Sequence, residues 1–310
     1  MSEMKKIPVI LQTDIGGDID DFWALVMILK QPWLDLKMIL TDTGHTVYRA
    51  AICAKLLELA GRTDVVVGAG IVEWPDHRHG KSHFDWVKDY PVASYPGFTA
   101  DGVNRFIEIV KASPEPVTLI SIGPAPSLAA ALKKAPEIAS KIRFVGMFGS
   151  VYRDYSRKPG QSAEYNVLVD IPAARTVFSA DWLSAAITPL DTCNFVRLEG
   201  ELYRRIEESP DKLVGAIREV YRIWLNGGTR KDDMPAPEAS SILFDTVAVH
   251  MATTFKFLKM EKLNLIVDDG GFTKIDPAGK PFDTAVDWTD LPAYEEFLVD
   301  TLTKQLRNPI

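Results

Sequence analysis

Asp14, Asp18, Asp20 and Asp21 fall within eight residues, in the run Thr13-Asp14-Ile15-Gly16-Gly17-Asp18-Ile19-Asp20-Asp21. Helix capping explains one or two of them: Asp18 or Asp20 as an N-cap, and Asp21 as an acid in the first turn. Four carboxylates at the end of a buried strand repel one another unless a cation sits among them. Hard divalent cations take carboxylate and carbonyl oxygens, and calcium accepts about 6–8 of them in flexible geometry. Gly16 and Gly17 let the backbone turn tightly around such an ion. The run is not an EF-hand, because no bidentate Glu stands at its twelfth position.

These residues need a scaffold, and the chain supplies one. Pro8 to Thr13 reads as a buried strand, and Asp20 to Lys30 as a helix apolar almost all round, hence central. Leu36 to Thr41, Asp64 to Val67, Val117 to Ile122, Arg143 to Phe148 and Ser184 to Thr188 read as further strands. Helical runs separate them: Tyr48 to Ala60, Gly102 to Ala112, Ser127 to Lys134 and Ile171 to Phe178. This alternation predicts an α/β fold with a largely parallel central sheet flanked by helices. Ligands in such folds bind beyond the carboxyl ends of the strands. Asp14, Asp42, Pro124, Gly149 and Asp191 all follow predicted strands.

The second half is less regular. Leu198 to Glu207, Leu213 to Leu225, Asp245 to Thr253 and Pro292 to Leu306 read as helices, and Asn226 to Ser240 as a mobile loop. Phe257 to Val267 and Phe272 to Ile275 read as a small antiparallel extension around a Gly270–Gly271 turn. No repeat or boundary divides the chain, so residues 1–310 are expected to form a single domain.

The aspartate run resembles the N-terminal motif of the inosine-uridine preferring nucleoside hydrolases, in its longer form Asp-Ile-Gly-x-Asp-x-Asp-Asp. The resemblance extends along most of the chain. Thr41-Asp42-Thr43-Gly44-His45, Leu57 to Val65, Ile122-Gly123-Pro124-Ala125-Pro126-Ser127, Met147-Phe148-Gly149 and Ala163-Glu164-Tyr165-Asn166 with Asp170 follow in the family's order. It implies calcium-dependent hydrolysis of the N-glycosidic bond of a ribonucleoside, or a related N-riboside, to ribose and free base. By position, Asp14 matches the general base and a metal ligand. Asp21, Asp245 and the carbonyl of Pro126 match further ligands. Asp20, His45, Met147, Glu164 and Asn166 match residues around the ribose. Plain structural roles compete: turn chemistry for Glu164 and Asn166, a helix cap for Asp245, and capping or support for Asp18. Family members are often dimers or tetramers, so a homo-oligomer is expected.

Three departures bear on the substrate. Gln12 stands where the shorter motif begins with Asp. His45 stands where many members have Asn, with Asp42 nearby. Phe244 stands where purine- and pyrimidine-cleaving members often carry a His that protonates the base. A general acid contributes about 10²–10⁴-fold, so either another group supplies the proton or the leaving group needs less help. Candidates for the base side are His83, Tyr152, Trp224 and Phe244 itself, with His77, His79, Arg153, Tyr155 and Tyr221 close in sequence. His250 reads as a packed helix residue. Two rivals stand beside this reading. A magnesium-dependent aspartyl phosphatase wants a second Asp where Gly16 stands. A catalytically weak nucleoside- or ribose-binding protein would retain the metal site.

Composition is compatible with this chemistry. The net charge of −7 argues against nucleic-acid and anionic-membrane partners, while an uncharged nucleoside is acceptable to an acidic site. No apolar run reaches the ~18 residues of a membrane span. Ile7 to Leu11 is too short for a signal peptide. The two cysteines, Cys53 and Cys193, lie in apolar surroundings and read as buried free thiols. A cytoplasmic location is the expectation.

Overall fold

The computed structural model describes residues 6–71, 80–231 and 237–304. Its frame is one sheet of ten strands. These are β1 (Ile7–Thr13), β2 (Leu34–Thr41), β3 (Val66–Ala69), β4 (Phe98–Thr99), β5 (Val117–Ser121), β6 (Ile142–Gly146), β7 (Ser184–Ile187), β8 (Leu258–Val267), β9 (Thr273–Ile275) and β10 (Lys280–Trp288). Their order is β4-β3-β2-β1-β5-β6-β7-β10-β8-β9. Neighbours from β4 to β10 pair parallel, and only β10–β8 and β8–β9 pair antiparallel.

The expected extension is therefore present but continuous with the main sheet. The unforeseen strand β10 joins it by lying between β7 and β8. The two-residue edge strand β4 was also not legible. The third strand lies two residues later than expected, at Val66–Ala69.

β1 alternates its side chains between two cores. Val9 and Leu11 enter one, with Phe22, Trp23 and Leu25 of the helix Asp20–Lys30, and Ile10 enters the other, with Phe106, Leu128 and Phe144. The helix Asp20–Lys30 is buried from Asp20 through Ile28, as its all-round apolar sequence requires. It packs against helices Lys212–Leu225, Thr246–Met251 and Leu291–Thr303. Strand order reverses beside β1: the chain runs from β1 to β2 on one side, and β5 takes the other. The carboxyl end of β1 thus opens at a topological switch point, where such sheets bind ligands.

Cys53 and Cys193 are free and buried, as expected. Among the described residues, no helix is long and apolar enough to cross a membrane.

Candidate active site

The loop after β1 is shaped by close packing. Gly16 has φ +103°, and a Cβ there would lie 2.7 Å from both Ile52 Cδ1 and Tyr48 Cε1. The Tyr48 hydroxyl donates to the Gly16 carbonyl at 3.2 Å. Gly123, after β5, lies so close to Asp14 that a Cβ would sit 2.5 Å from Asp14 Oδ1 and 2.7 Å from its nitrogen. Thr13 Oγ1 accepts from the Ile15 N–H at 3.0 Å and donates to Asp21. The last strand residue thereby fixes both the loop and a carboxylate.

Capping does not account for the cluster. Asp18 Oδ1 accepts from the Ile19 N–H at 2.6 Å, but Ile19 at the N-cap gives the helix no side-chain cap. Asp245 precedes the helix Thr246–Met251 without capping it. Instead, one oxygen each from Asp20, Asp21 and Asp245 lies within 4.8 Å of the others, and all three residues are buried. Burial first, and then repulsion from neighbouring aspartates (Asp18 and Asp14 on Asp20, Asp14 and Asp20 on Asp21, and Asp20, Asp21 and Asp14 on Asp245), hold the Asp20, Asp21 and Asp245 carboxyls well above the usual carboxylate range. Burial also raises Asp14, against the pull of Arg49. These oxygen donors form a site that could hold a hard divalent cation.

A cavity of about 610 Å³ opens over the cluster, a size suited to a small ligand. Asp14, Asp18, Asp20, Asp21 and Asp245 line it, as do Met147, Glu164, Asn166, Trp224 and Phe244. Glu164 accepts from the N–H groups of Asn166 at 2.8 Å and Gly149 at 2.9 Å. Turn chemistry is therefore real there, yet the side chain still faces the cavity. Burial pushes Glu164 up to about 7, against those two N–H donors. Asn166 Nδ2 donates to the Met147 carbonyl at 3.0 Å. Trp224 stacks on Tyr221 with centroids 5.7 Å apart.

Three sequence candidates lie elsewhere. His45, at the N-cap of the helix Thr46–Ala60, lines a different pocket with Tyr48, Lys81 and Tyr90. His83 is fully buried in contact with the edge of Phe22, off the cavity, although Gly80 and Ser82 beside it do line the wall. Tyr152 is 42% exposed and donates from its hydroxyl to Glu261 at 3.1 Å, while Tyr155 takes the place on the cavity wall. Pro126, expected to act through its backbone carbonyl, is buried at the start of the helix Pro126–Lys134. His77 and His79 lie outside the described residues.

Asp42 is a strut. Its carboxylate accepts from the N–H of Thr43 at 2.9 Å and of Ser127 at 3.0 Å, and burial lifts it to about 7. Gln12 donates to the Pro124 carbonyl at 2.9 Å, so it also braces the strand ends. His250 is packed, with Nε2 2.7 Å from the Lys256 carbonyl.

Sequence reasoning missed Arg49. It is 1% exposed, lines the cavity, and donates to the carbonyls of Thr43 at 2.8 Å and Ile15 at 2.9 Å. Its place one helical turn from His45 offered no distinctive signal, since a lone Arg on a helix usually faces water.

The sequence pattern of the inosine-uridine preferring nucleoside hydrolases matches residues 9–295. The pyrimidine-specific ribonucleoside hydrolase RihA of Escherichia coli O127:H6 is 31% identical over 230 residues, spanning 69% of this chain and 71% of its own length. The RihA of Citrobacter koseri is 27% identical over 228 residues, 71% of each chain. A solved plant nucleoside hydrolase superposes with a TM-score of 0.78 at 21% identity, covering 97% of this chain and 99% of that one. The inosine-uridine preferring nucleoside hydrolase of Bacillus anthracis gives 0.75 at 20% identity, covering 98% and 100%. At those identities the structures bear on the fold.

Proposed function

Because the chain belongs to the inosine-uridine preferring nucleoside hydrolase family and is a nucleoside hydrolase, we propose that it is calcium-dependent, with Asp14 as general base toward water. The carrying observation is the buried trio Asp20, Asp21 and Asp245, gathered with Asp14 in one cavity at the carboxyl end of β1. Four buried carboxyls are costly without a cation, and an all-oxygen donor set favours a hard ion over zinc. Asp14, Asp21, Asp245 and the Pro126 carbonyl would hold it. When bound, a calcium ion supplies positive charge that orders sugar hydroxyls and water beside the anomeric carbon.

The chain's own residues supply the rest. Asp14 takes the proton of the attacking water. Asp20, Glu164 and Asn166 bind ribose hydroxyls, and Met147 packs against the sugar. Glycosidic cleavage develops positive charge on the ribosyl ring, which the surrounding carboxylates stabilise. No covalent intermediate is needed.

The test is product analysis. Incubation of uridine, inosine and p-nitrophenyl riboside with the calcium-loaded enzyme should release ribose and leaving group in equal amounts, without phosphate. Chelation should stop the reaction and calcium restore it. Release only in the presence of phosphate, or from no riboside at all, would overturn the reading.

A further inference from the structure

A second cavity, of about 400 Å³, lies behind one wall of the catalytic cavity and is large enough for a small organic ligand. Its charge is opposite. Among the described residues, six carboxyl side chains line the catalytic cavity, whereas Lys81 and Lys88 and no carboxyl line the second. In a chain of net charge −7 that contrast is local, not compositional. Tyr48, Phe84 and Tyr90 give the second cavity aromatic surface. Lys81 Nζ stands 6.0 Å over the Tyr48 ring. Lys88 reaches Asp85 at 3.4 Å from a half-exposed side chain, a loose surface pair. Val47, also on the lining, is 44% exposed and so marks the rim.

The two cavities share a wall. Gly80 and Ser82 line the catalytic side, and Lys81 and Phe84 line the other. The Ser82 N–H donates to the Gly16 carbonyl at 2.9 Å, and the Tyr48 hydroxyl donates to the same oxygen at 3.2 Å. That hydroxyl also accepts from the His83 N–H at 2.8 Å. Tyr48 therefore has its ring in the second cavity and its hydroxyl on the turn that carries Asp14.

Aromatic surface edged by ammonium groups, with no carboxylate on the lining to compete, suits a flat anion. The rings take its aromatic body, and the lysines take its charge. We propose that the second cavity is a binding site for a planar aromatic carboxylate, and that its occupancy reaches the Asp14 turn through Tyr48. The ligand here is not the substrate. It bears on Tyr48, Lys81 and Phe84 together, and so fixes the wall whose far side is bonded to Gly16.

The probe is 2-naphthoate, titrated by calorimetry into the calcium-loaded enzyme. Its controls are 2-naphthamide, which is uncharged, and decalin-2-carboxylate, which is saturated. Hydrogen exchange of segments 14–19 and 80–84 is followed with and without the probe. The amide should bind at least about tenfold more weakly than naphthoate, and the saturated acid about threefold more weakly. Lys81→Gln and Lys88→Gln should each weaken naphthoate about threefold. Val47→Glu sets a carboxylate at the exposed rim. It should weaken naphthoate by about tenfold or more while leaving riboside cleavage without naphthoate unchanged. Bound naphthoate should slow exchange in both segments of the parent. Tyr48→Phe keeps the ring, so binding and protection of 80–84 should persist, while protection of 14–19 should be lost. No binding at millimolar concentration, equal binding of acid and amide, or binding unchanged in Val47→Glu overturns the site. Protection of 14–19 that is absent from the parent, or that survives in Tyr48→Phe, overturns the route through Tyr48. The hydrolase reading is decided separately, by riboside cleavage.

Discussion

Arg49 Nη1 donates to the carbonyl of Ile15 at 2.9 Å, inside the turn that carries Asp14. Its Nε donates to Thr43 at 2.8 Å, so one guanidinium ties the loop after β1 to the loop after β2. A buried cation at this point also offsets the aspartates around it. Arg49→Met leaves two carbonyls without a donor and removes that charge. We expect a loss of about 2–5 kcal/mol in stability without divalent cation, measured by urea unfolding. Arg49→Lys should recover only part, since an ammonium cannot span both carbonyls as a fork does. A change below about 0.5 kcal/mol in Arg49→Met would show that the tie is dispensable.

Arg49 and β10 mark where local sequence patterns stop being informative. The Asp14 to Asp21 run was legible because its repulsion makes no sense without a partner, wherever it lies in the fold. Arg49 becomes significant only when the loop after β1 closes over it, and that contact spans 34 residues. β10 carries Pro281, Asp283, Thr284 and Asp287, which dilute its apolar pattern, and its pairing with β7 is set by the whole sheet. The reverse error arose at His45, His83 and Tyr152. Their chemistry suited the site, but loop direction sent them elsewhere. Asp42, at a strand end beside His45, is held by the N–H groups of Thr43 and Ser127 instead of facing the cavity.

Removal of divalent cation should unload the enzyme and destabilise it. The carboxyls of Asp14, Asp20, Asp21 and Asp245 are held toward the protonated form by burial. An ion must displace those protons, so its affinity rises with pH. Calcium at about 100 times its dissociation constant should add about 2.7 kcal/mol. Thermal melts with chelator and with calcium, repeated across pH, would show the gap widening toward neutral pH. A gap independent of pH, or zinc found in the purified protein, would count against this donor set.

Asp14→Asn separates proton transfer from binding. The amide keeps the shape beside Gly123 but cannot accept a proton. kcat should fall by at least about 10²-fold while ribose inhibition weakens far less. Calcium content is measured in the same preparation. Equal losses of rate and ribose affinity would assign Asp14 to holding the ion alone.

His83 should shape the acid limb of stability. It is fully buried, and neither ring nitrogen has a hydrogen-bond partner among the described residues. Burial, with Arg49 adding to it, pushes its pKa down to about 3. The unfolded chain therefore binds this proton first, as pH falls below about 6.5. The His83 contribution is full above that point and is lost as pH falls toward its folded value. Asp42 and Glu164, raised to about 7, act with the opposite sign, but they are common to parent and variant. Urea unfolding between pH 6 and 4 should show the parent losing up to about 1.4 kcal/mol per pH unit more than His83→Leu. Parallel slopes would place a proton on His83 in the folded state.

Phe244 offers the last test, because a single substitution can install an imidazole at this point of the cavity wall. The residue lines the cavity immediately before Asp245, whose carboxyl belongs to the buried trio. An imidazole there would sit beside the departing base. A well-placed general acid is worth about 10²–10⁴-fold, and one grafted without supporting contacts should fall at or below the lower end. Phe244→His should therefore raise kcat/KM for uridine or inosine by about 10–10²-fold. The p-nitrophenyl riboside needs no proton, so its rate should change by less than about threefold. The two substrates should also differ in pH dependence. Uridine cleavage by the variant should gain a descending limb above about pH 6.5, where the new imidazolium loses its proton, and nitrophenyl cleavage should not. If both substrates slow together, Phe244 serves as packing for Asp245 and leaving-group protonation is not what limits this enzyme. If the parent already cleaves uridine as fast as the nitrophenyl riboside, a proton donor is in place without Phe244→His, and the phenylalanine at this position does not limit the enzyme.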